Sequence, residues 1–228
     1  MRNYSAIVVM AKQPQVGRTK TRLCPPFTPE EAAGLYEALL RDSLVLAGSI
    51  SGADLAVAIT PASARDYFAA LTPPGTHLLP ISGADLGECL AGSIAALLAM
   101  GYRRVIAFNA DGPSLPAGFL NAALTALECS DVVFGPGEDG GYYLVGLGHL
   151  HAELFQGIPW STAKVLVESL EKAHTLGLCV QLLPIWYDVD TAEDARRLAR
   201  ELERLPAEKL PHTRAFIASF ARPTLFKF

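Results

Sequence analysis

The sequence is poor in charged residues and lacks closely spaced cysteines, and each absence argues against a class of protein. Charged residues make up only 18% of the 228 residues and 50% are hydrophobic, so the chain can bury a sizeable core. The four cysteines form no Cys-x-x-Cys pair. This argues against a disulfide framework or a zinc site and indicates the reduced thiols of a cytoplasmic protein.

The sequence also lacks an excess of positive charge and any long apolar run. Its formal net charge is -4, whereas general nucleic-acid binders are normally basic. No apolar stretch approaches the ~20 residues that span a bilayer. The first apolar run, residues 6–10, is only as long as a strand and a basic segment follows it, unlike a signal peptide. We therefore expect a cytoplasmic protein with no nucleic-acid or membrane partner.

Strand and helix signals alternate along the chain, which predicts a mostly parallel sheet covered by helices. Strands are predicted at residues 6–10, 54–60, 77–80, 104–109, 131–134, 142–147 and 179–184. Helices are predicted at residues 29–48 with Thr28 as the cap, 62–71, 86–100, 117–128, 161–176 with Ser161 as the cap, and 191–205 with Thr191 as the cap. Beyond Pro206 we expect an irregular tail with one apolar patch at residues 215–220.

A basic loop, AKQPQVGRTKTRL, follows the first predicted strand, at the end where parallel sheets bind ligands. It places Lys12, Arg18, Lys20 and Arg22 around Gly17. The loop is not a Walker P-loop, because no glycine directly precedes Lys20. Several cations on one loop suit a di- or triphosphate. A solvated basic loop is the alternative.

Carboxylates follow two later strands. Asp111 comes after the strand RVIAFN, where it can ligate Mg²⁺ or Mn²⁺ on substrate phosphates, or form an Asx turn or a helix cap. Asp188 and Asp190 alternate around Val189, which puts them on one side of an extended segment. Two such carboxylates need a cation or donors between them. Solvent exposure near a helix N-terminus is the alternative.

The segment GPGEDGGYYL carries the acidic pair Glu138 and Asp139 beside Gly140 and Gly141. Glycines allow positive φ and a close approach of the backbone to a ligand. A tight hairpin would explain the two adjacent glycines equally well, but it does not need the acidic pair. This favours a substrate loop.

An aromatic ring stands directly before a predicted helix cap, in Trp160-Ser161 of the sequence PWST. Tryptophan faces often stack on sugars or bases. Packing against the core is the commoner use of a tryptophan.

Taken in order, the motifs AKxPxxGxxKTRL, DxPxLP, GPxEDGGYYLxG, PWS and DVDTxED resemble a bacterial family of GT-A-like nucleotide-diphospho-sugar transferases. The resemblance runs from about Ile7 to Leu198. Members of that family are also labelled radical-SAM-associated or arsenosugar-type glycosyltransferases. The 2-phospholactate guanylyltransferases are similar in the Lys-Thr/Ser-Arg-Leu loop. The Gly-Gly-x-Gly-x-Arg loop of the sugar nucleotidylyltransferases is lacking here.

The resemblance implies one α/β domain over residues 1–206, a GT-A-like three-layer α/β/α sandwich. The tail, residues 207–228, would pack on that domain or on a partner subunit of a homodimer. By motif, the nucleotide and its phosphates would contact Ala11, Lys12, Gly17, Lys20, Arg22 and Asn109. Mg²⁺ or Mn²⁺ would be held by Asp111, Asp188 and Asp190, and the sugar or acceptor pocket would be lined by Glu138, Asp139, Gly140, Gly141, Trp160 and Ser161.

The implied activity is transfer of a glycosyl group from a nucleotide-sugar to a small-molecule acceptor. Asp111 would act through the metal, and Asp139 would deprotonate the acceptor hydroxyl or bind a sugar hydroxyl. The first position of the Asp-x-Asp motif common in this fold is Asn109 here, which lowers the negative charge at the metal. One alternative is a nucleotidyltransferase that uses an NTP and a small phosphorylated acid. The other is a non-catalytic nucleotide-binding protein, against which the retained carboxylates argue.

Overall fold

A computed structural model describes residues 3–219 of the chain, which fall into two compact units. The sheet unit comprises residues 3–13, Ala47–Asn109 and Leu115–Tyr187. The helix unit comprises Pro14–Leu46, Ala110–Ser114 and residues 188–219. Within residues 3–219 no helix is long and apolar enough to span a bilayer. The predicted tail residues Phe220, Leu225, Phe226 and Phe228 lie outside the described part of the chain.

The sheet unit contains a mixed sheet of seven strands, as the alternating pattern predicts. The strands are β1 (Ser5–Lys12), β2 (Ala53–Thr60), β3 (His77–Pro80), β4 (Arg104–Asn109), β5 (Val132–Pro136), β6 (Tyr142–Leu147) and β7 (Val180–Leu182). Their order across the sheet is β3-β2-β1-β4-β6-β5-β7. Only β6 runs antiparallel to its neighbours, β4 and β5, because a short loop joins β5 directly to β6.

Seven α-helices connect or follow these strands within the described residues. They are α1 (Pro29–Gly48), α2 (Arg65–Leu71), α3 (Leu86–Ala99), α4 (Ala117–Ala126), α5 (Val165–Thr175), α6 (Ala192–Arg204) and α7 (Pro211–Ser219). Two predictions need correction. Helix α5 begins at Val165 and not at Ser161, and helix α7 lies where an irregular tail was expected.

Helices cover both faces of the sheet in the sheet unit. On one face, Leu90, Ile94 and Leu97 of α3 join a buried cluster with residues of β1, β2, β4, β5 and β6. On the other face, Leu127, directly after α4, approaches Gly146 of β6. Because the central strands are buried on both faces, they read as continuous apolar runs and not as alternating ones. The predicted α/β/α layering is confirmed.

Two of the predicted helix caps are confirmed. Thr28 Oγ1 accepts from the N–H of Glu31 at 3.2 Å, and a Glu31 carboxylate oxygen accepts from the Thr28 N–H at 2.7 Å. Thr191 and Asp194 form the same reciprocal pair at the start of α6. Each box satisfies two backbone donors that the first turn of a helix leaves without an intrahelical acceptor.

Helix α7 is held within the helix unit by a buried carboxylate. Asp42 of α1 is only 2% exposed. Its two oxygens accept hydrogen bonds from the backbone N–H groups of His212 and Thr213, at 3.1 and 2.8 Å. These donors lie in the first turn of α7, so Asp42 serves as its cap from a distant part of the sequence. Gly34 of α1 faces Phe216 so closely that an added Cβ would lie 2.8 Å from the ring.

We predict that Asp42→Ala lowers the free energy of unfolding by about 2 kcal/mol, because two backbone donors lose a charged acceptor. Glu30→Ala is the matched control: it removes the same charge from an exposed position in the first turn of α1, where it interacts with the helix dipole, and should cost less than about 1 kcal/mol. Urea denaturation followed by circular dichroism measures both. Equal stability of the two variants would contradict the capping role of Asp42.

Candidate active site

A lysine and two aspartates form a cluster of charge in the helix unit. The Lys20 ammonium lies 2.5 Å from Asp111 Oδ1 and 2.6 Å from Asp190 Oδ1. The Lys20 side chain is only 7% exposed, whereas the two carboxylates are 30% and 37% exposed. The structure therefore brings three predicted site residues together, but it places Lys20 on the carboxylates themselves. We call these residues the Lys20 cluster.

The backbone conformation around Lys20 fixes the direction in which its side chain extends toward Asp111 and Asp190. Lys20 adopts a left-handed conformation (φ 50°, ψ 43°), which is uncommon for a residue with a Cβ. A short 3₁₀ helix, Thr21–Leu23, follows at once, and Leu23 anchors it in the core with no exposed surface. The ammonium also lies 5.9 Å from the ring centre of Tyr36. Sequence reasoning missed Tyr36, because it reads as an ordinary apolar position of α1.

Backbone hydrogen bonds hold the two carboxylates near each other. The N–H of Val189 donates to the carbonyl of Asp111 at 2.9 Å, which pairs the segment 188–190 with the residue that follows β4 by two positions. The Asp190 N–H donates to Asp194 Oδ2 at 3.2 Å, at the start of α6. Asp190 thus lies at a helix N-terminus, which favours its negative charge. Asp188 is half-buried in the same segment.

The surroundings of Lys20 shift its pKa in two opposite directions. Burial disfavours the ammonium and would lower the pKa, but the charges and hydrogen bonds of Asp111 and Asp190 outweigh it. The net effect raises the pKa of Lys20 well above its usual value. Lys20 is therefore a fixed positive charge at neutral pH. Burying an ammonium in this way is tolerated only because carboxylates accompany it.

Arg22 differs from Lys20 in its exposure. Its guanidinium lies 3.7 Å from Asp190 Oδ2 and its side chain is 72% exposed, so it can reach an anion in solution.

The turn before Lys20 is closed by Gln15, whose carbonyl accepts from the N–H groups of Arg18 and Thr19. Gly17 lies in that turn with φ 74°, a conformation that glycine adopts without strain.

The other predicted nucleotide residues lie in the sheet unit, at the carboxyl ends of adjacent strands. Lys12 ends β1 and is exposed, while Ala11 before it is buried. Asn109 ends β4, and its register partner in the parallel strand β1 is Met10. Because β1 and β4 are parallel neighbours, Lys12 and Asn109 both lie at the carboxyl end of these strands, as predicted.

The glycine loop, residues 137–141, joins β5 to β6 in a tight turn. One member of its acidic pair, Asp139, accepts a hydrogen bond within that turn. The N–H of Gly137 donates to the carbonyl of Gly141 at 2.9 Å, and Asp139 Oδ1 accepts from the N–H of Gly141 at 2.9 Å. Glu138 and Asp139 are both exposed. The hairpin interpretation is therefore correct for the backbone, and the two carboxylates still face solvent.

Gly140 connects this loop to helix α5. Its φ is 86°, and its carbonyl accepts from the N–H of Leu166 in the first turn of α5 at 2.9 Å. An added Cβ at Gly140 would lie within van der Waals overlap of the Ala163 carbonyl oxygen. The cap of α5 is thus a backbone carbonyl from the glycine loop. Ser161, the predicted cap, is exposed four residues earlier with φ 64°.

Trp160 is used mainly for packing. Its ring packs against the buried cluster of the α3 face and meets the ring of Tyr142 edge-to-face at 6.1 Å between centres. An added Cβ at Gly87 would lie 2.8 Å from the indole. The commoner alternative, packing against the core, describes the indole better than an open stacking platform.

The Lys20 cluster has donors suited to a divalent cation, but few of them. Residues 3–219 contain no group of three or more His, Cys, Asp or Glu side chains placed to hold a metal ion. Asp111 and Asp190 offer hard carboxylate oxygens within reach of one cation, since both contact the Lys20 ammonium. Mg²⁺ is commonly bound by one or two carboxylates, with substrate phosphates and water completing its shell. The donor set fits such an ion.

We predict that Gly140→Ala lowers the free energy of unfolding by about 3 kcal/mol, because it adds overlap with the Ala163 backbone to the strain of positive φ. Gly52→Ala is the matched control. Gly52 has φ 81° and open space around a Cβ, so it should cost only about 1 kcal/mol. Urea denaturation gives both values. An equal cost in the two variants would contradict close packing of the glycine loop on the start of α5.

Comparison with known proteins gives a family and a fold. The sequence profile of DUF2064, described as an uncharacterized protein conserved in bacteria, matches residues 37–162, more than half of the chain. A protein of Desulfovibrio desulfuricans G20, provisionally named a nucleotide-diphospho-sugar transferase, is 31% identical, with 99% of this chain and 98% of that chain covered and a TM-score of 0.91. No curated protein matches significantly.

Two more distant structures share the fold alone. One is a CMP:2-keto-3-deoxy-manno-octonic acid synthetase complexed with CTP, 14% identical over 88% of this chain and 99% of that chain, with a TM-score of 0.52. The other is a Mycobacterium tuberculosis H37Rv protein in complex with manganese, 19% identical over 87% of this chain and 98% of that chain, with a TM-score of 0.54.

Proposed function

The chain belongs to the DUF2064 family, and from that premise we propose that it is a metal-dependent glycosyltransferase. It would bind a nucleotide diphosphate-sugar and transfer the glycosyl group to a small-molecule acceptor. The observation that carries this proposal is the Lys20 cluster, a buried ammonium held by two carboxylates with an exposed guanidinium beside it. The name of the Desulfovibrio desulfuricans relative, 31% identical over nearly the whole chain, supports it.

The cations of the helix unit are the proposed phosphate ligands. Departure of a nucleoside diphosphate leaves negative charge on its phosphate oxygens, and preorganised cations stabilise that charge. The Arg22 guanidinium is exposed and can pair with two phosphate oxygens at once. Lys20 supplies a compact charge from an enclosed position. In the sheet unit, Lys12 and Asn109 are the proposed contacts to the nucleotide.

Mg²⁺ or Mn²⁺ is the proposed cofactor, held by Asp111 and Asp190 and, as a third candidate ligand, Asp188. When bound, such an ion supplies positive charge that neutralises phosphate oxygens of the leaving diphosphate. The manganese complex of the Mycobacterium tuberculosis protein is consistent with this cofactor, although that protein shares only the fold.

Asp139 is the proposed base for the acceptor hydroxyl. Its carboxylate is exposed, and the N–H of Gly141 fixes one of its oxygens. A fixed carboxylate can take a proton from an approaching hydroxyl group at hydrogen-bond distance. Glu138, exposed beside it, is a proposed contact to the sugar or the acceptor.

Nucleotidyl transfer from an NTP to a small phosphorylated acid is the second candidate. It is favoured by the Lys20-Thr21-Arg22-Leu23 loop, which is similar to that of 2-phospholactate guanylyltransferase. The shared fold with a CTP-bound synthetase is consistent with it. The same cations and carboxylates would serve either reaction, because both release a phosphate-bearing group.

We predict that one nucleotide-sugar raises the melting temperature only when Mg²⁺ or Mn²⁺ is present. At about 100 times its Kd, a ligand adds about 2.7 kcal/mol to stability, which is readily measured by thermal shift. Asp111→Asn should abolish the metal-dependent part of the shift, whereas Asp66→Asn, an exposed carboxylate of α2, should leave it intact. A panel of UDP-, GDP-, dTDP- and ADP-sugars and the four NTPs, each with metal or EDTA, makes the comparison. No shift with any of them would contradict nucleotide binding.

We predict further that turnover releases a nucleoside diphosphate and no pyrophosphate. Glycosyl transfer breaks the bond between the sugar and the diphosphate, whereas nucleotidyl transfer breaks the bond between the α- and β-phosphates of an NTP. Phosphorus NMR of reactions with the nucleotide identified by thermal shift distinguishes the two products. Release of pyrophosphate would establish the second candidate instead.

A further inference from the structure

We propose that Lys20 is the resident cation of the Asp111–Asp190 pair and keeps a divalent metal off these carboxylates until a nucleotide arrives. The proposal rests on the proposed function, since it assumes that the same two carboxylates hold the metal. It adds an order of binding: the free protein holds an ammonium there, and the metal enters together with the phosphates.

The ammonium and a metal would compete for the same oxygen atoms. Lys20 Nζ lies 2.5 Å from Asp111 Oδ1 and 2.6 Å from Asp190 Oδ1. A bound Mg²⁺ requires oxygen ligands at about 2.0–2.1 Å. An ion bridging these two oxygens would therefore stand where the ammonium stands. Both cations cannot occupy that position at once.

The surrounding structure keeps the ammonium in place. The Lys20 side chain is 7% exposed, so water offers it few alternative partners. Its left-handed backbone and the buried Leu23 fix the point from which the side chain extends. The Tyr36 ring lies 5.9 Å from the ammonium, within the range of a favourable cation–π contact.

The charge balance explains why phosphates would be needed to change this arrangement. Lys20 and Arg22 carry two positive charges, which offset the charges of the Asp111 and Asp190 carboxylates, and Asp188 in the same segment as Asp190 adds one further carboxylate. The two cations thus weaken the attraction of a divalent cation to Asp111 and Asp190. The phosphates of a nucleotide bring negative charge, which offers Lys20 a new partner and frees the carboxylate oxygens for the metal.

Arg22 provides a matched control for this argument. It carries the same charge as Lys20 and contacts the same Asp190, but through Oδ2 at 3.7 Å and with 72% of its side chain exposed. Removing Arg22 lowers the positive charge of the cluster without vacating the position between the carboxylates. Removing Lys20 does both.

The test is a Mn²⁺ titration of the nucleotide-free protein, with free Mn²⁺ counted by electron paramagnetic resonance. We expect Lys20→Met to bind one Mn²⁺ at least about tenfold more tightly than the wild type, because a competing charge is removed from the carboxylates. Arg22→Met should gain less than about threefold, because its exposed charge is screened. The double variant Lys20→Met/Asp111→Asn should lose the gain.

Several outcomes would overturn the proposal. One is nucleotide-free wild type that binds Mn²⁺ as tightly as Lys20→Met, and another is an equal gain in Arg22→Met and Lys20→Met. If Lys20→Met does not fold, the wild type and Asp111→Asn decide. Both should bind Mn²⁺ equally weakly without nucleotide, and tighter binding by the wild type would contradict the role of Lys20. The Mn²⁺ titration uses no nucleotide, so its result on the competition between Lys20 and the metal is independent of the nucleotide panel, whose failure would count against the proposed function.

Discussion

The contact of one buried ammonium with two carboxylates is the interaction on which the helix unit's chemistry depends. Lys20, Asp111 and Asp190 come from three distant segments of the chain, and none of them would be stable in this environment alone. Two facing carboxylates repel each other, and an enclosed ammonium without a counter-charge is strongly disfavoured. The loop before α1, the segment after β4 and the turn before α6 therefore hold one another in position through charge.

Sequence reasoning succeeded where the determining interactions are local. The seven strands are apolar runs bounded by turn residues, and two helix starts are set by reciprocal boxes whose partners lie three positions apart, such as Thr28 and Glu31. It failed where a distant group supplies the cap. Helix α7 depends on Asp42, and the start of α5 depends on the Gly140 carbonyl. No local signal marks either partner. From the sequence alone, the segment of α7 was therefore predicted to be irregular, and α5 was predicted to begin too early.

The candidate site shows the same division. The sequence predicted that Lys12 and Asn109 lie at the carboxyl ends of their strands, because parallel neighbouring strands end on the same side of a sheet. The partners of Lys20 could not be predicted, because they follow from a left-handed backbone and from the pairing of Val189 with Asp111 across the sequence. Phosphates remain a predicted partner of Lys20. The structure adds that its ammonium has two anionic neighbours within the protein, Asp111 and Asp190.

The residues of the glycine loop in the sheet unit and those of the Lys20 cluster in the helix unit have different explanations. In the sheet unit, the glycine loop has a structural reason for most of its sequence: Gly140 needs positive φ and caps α5, and one oxygen of Asp139 closes the turn. The Lys20 cluster also joins three segments of the helix unit, but joining them does not require charged groups. A set of enclosed charges typically adds little or nothing to stability beyond what apolar residues of similar size would give. An ammonium and two carboxylates stand where apolar contacts would serve the fold equally well, which favours the proposed charged ligand, and the Arg22 side chain beside them is 72% exposed.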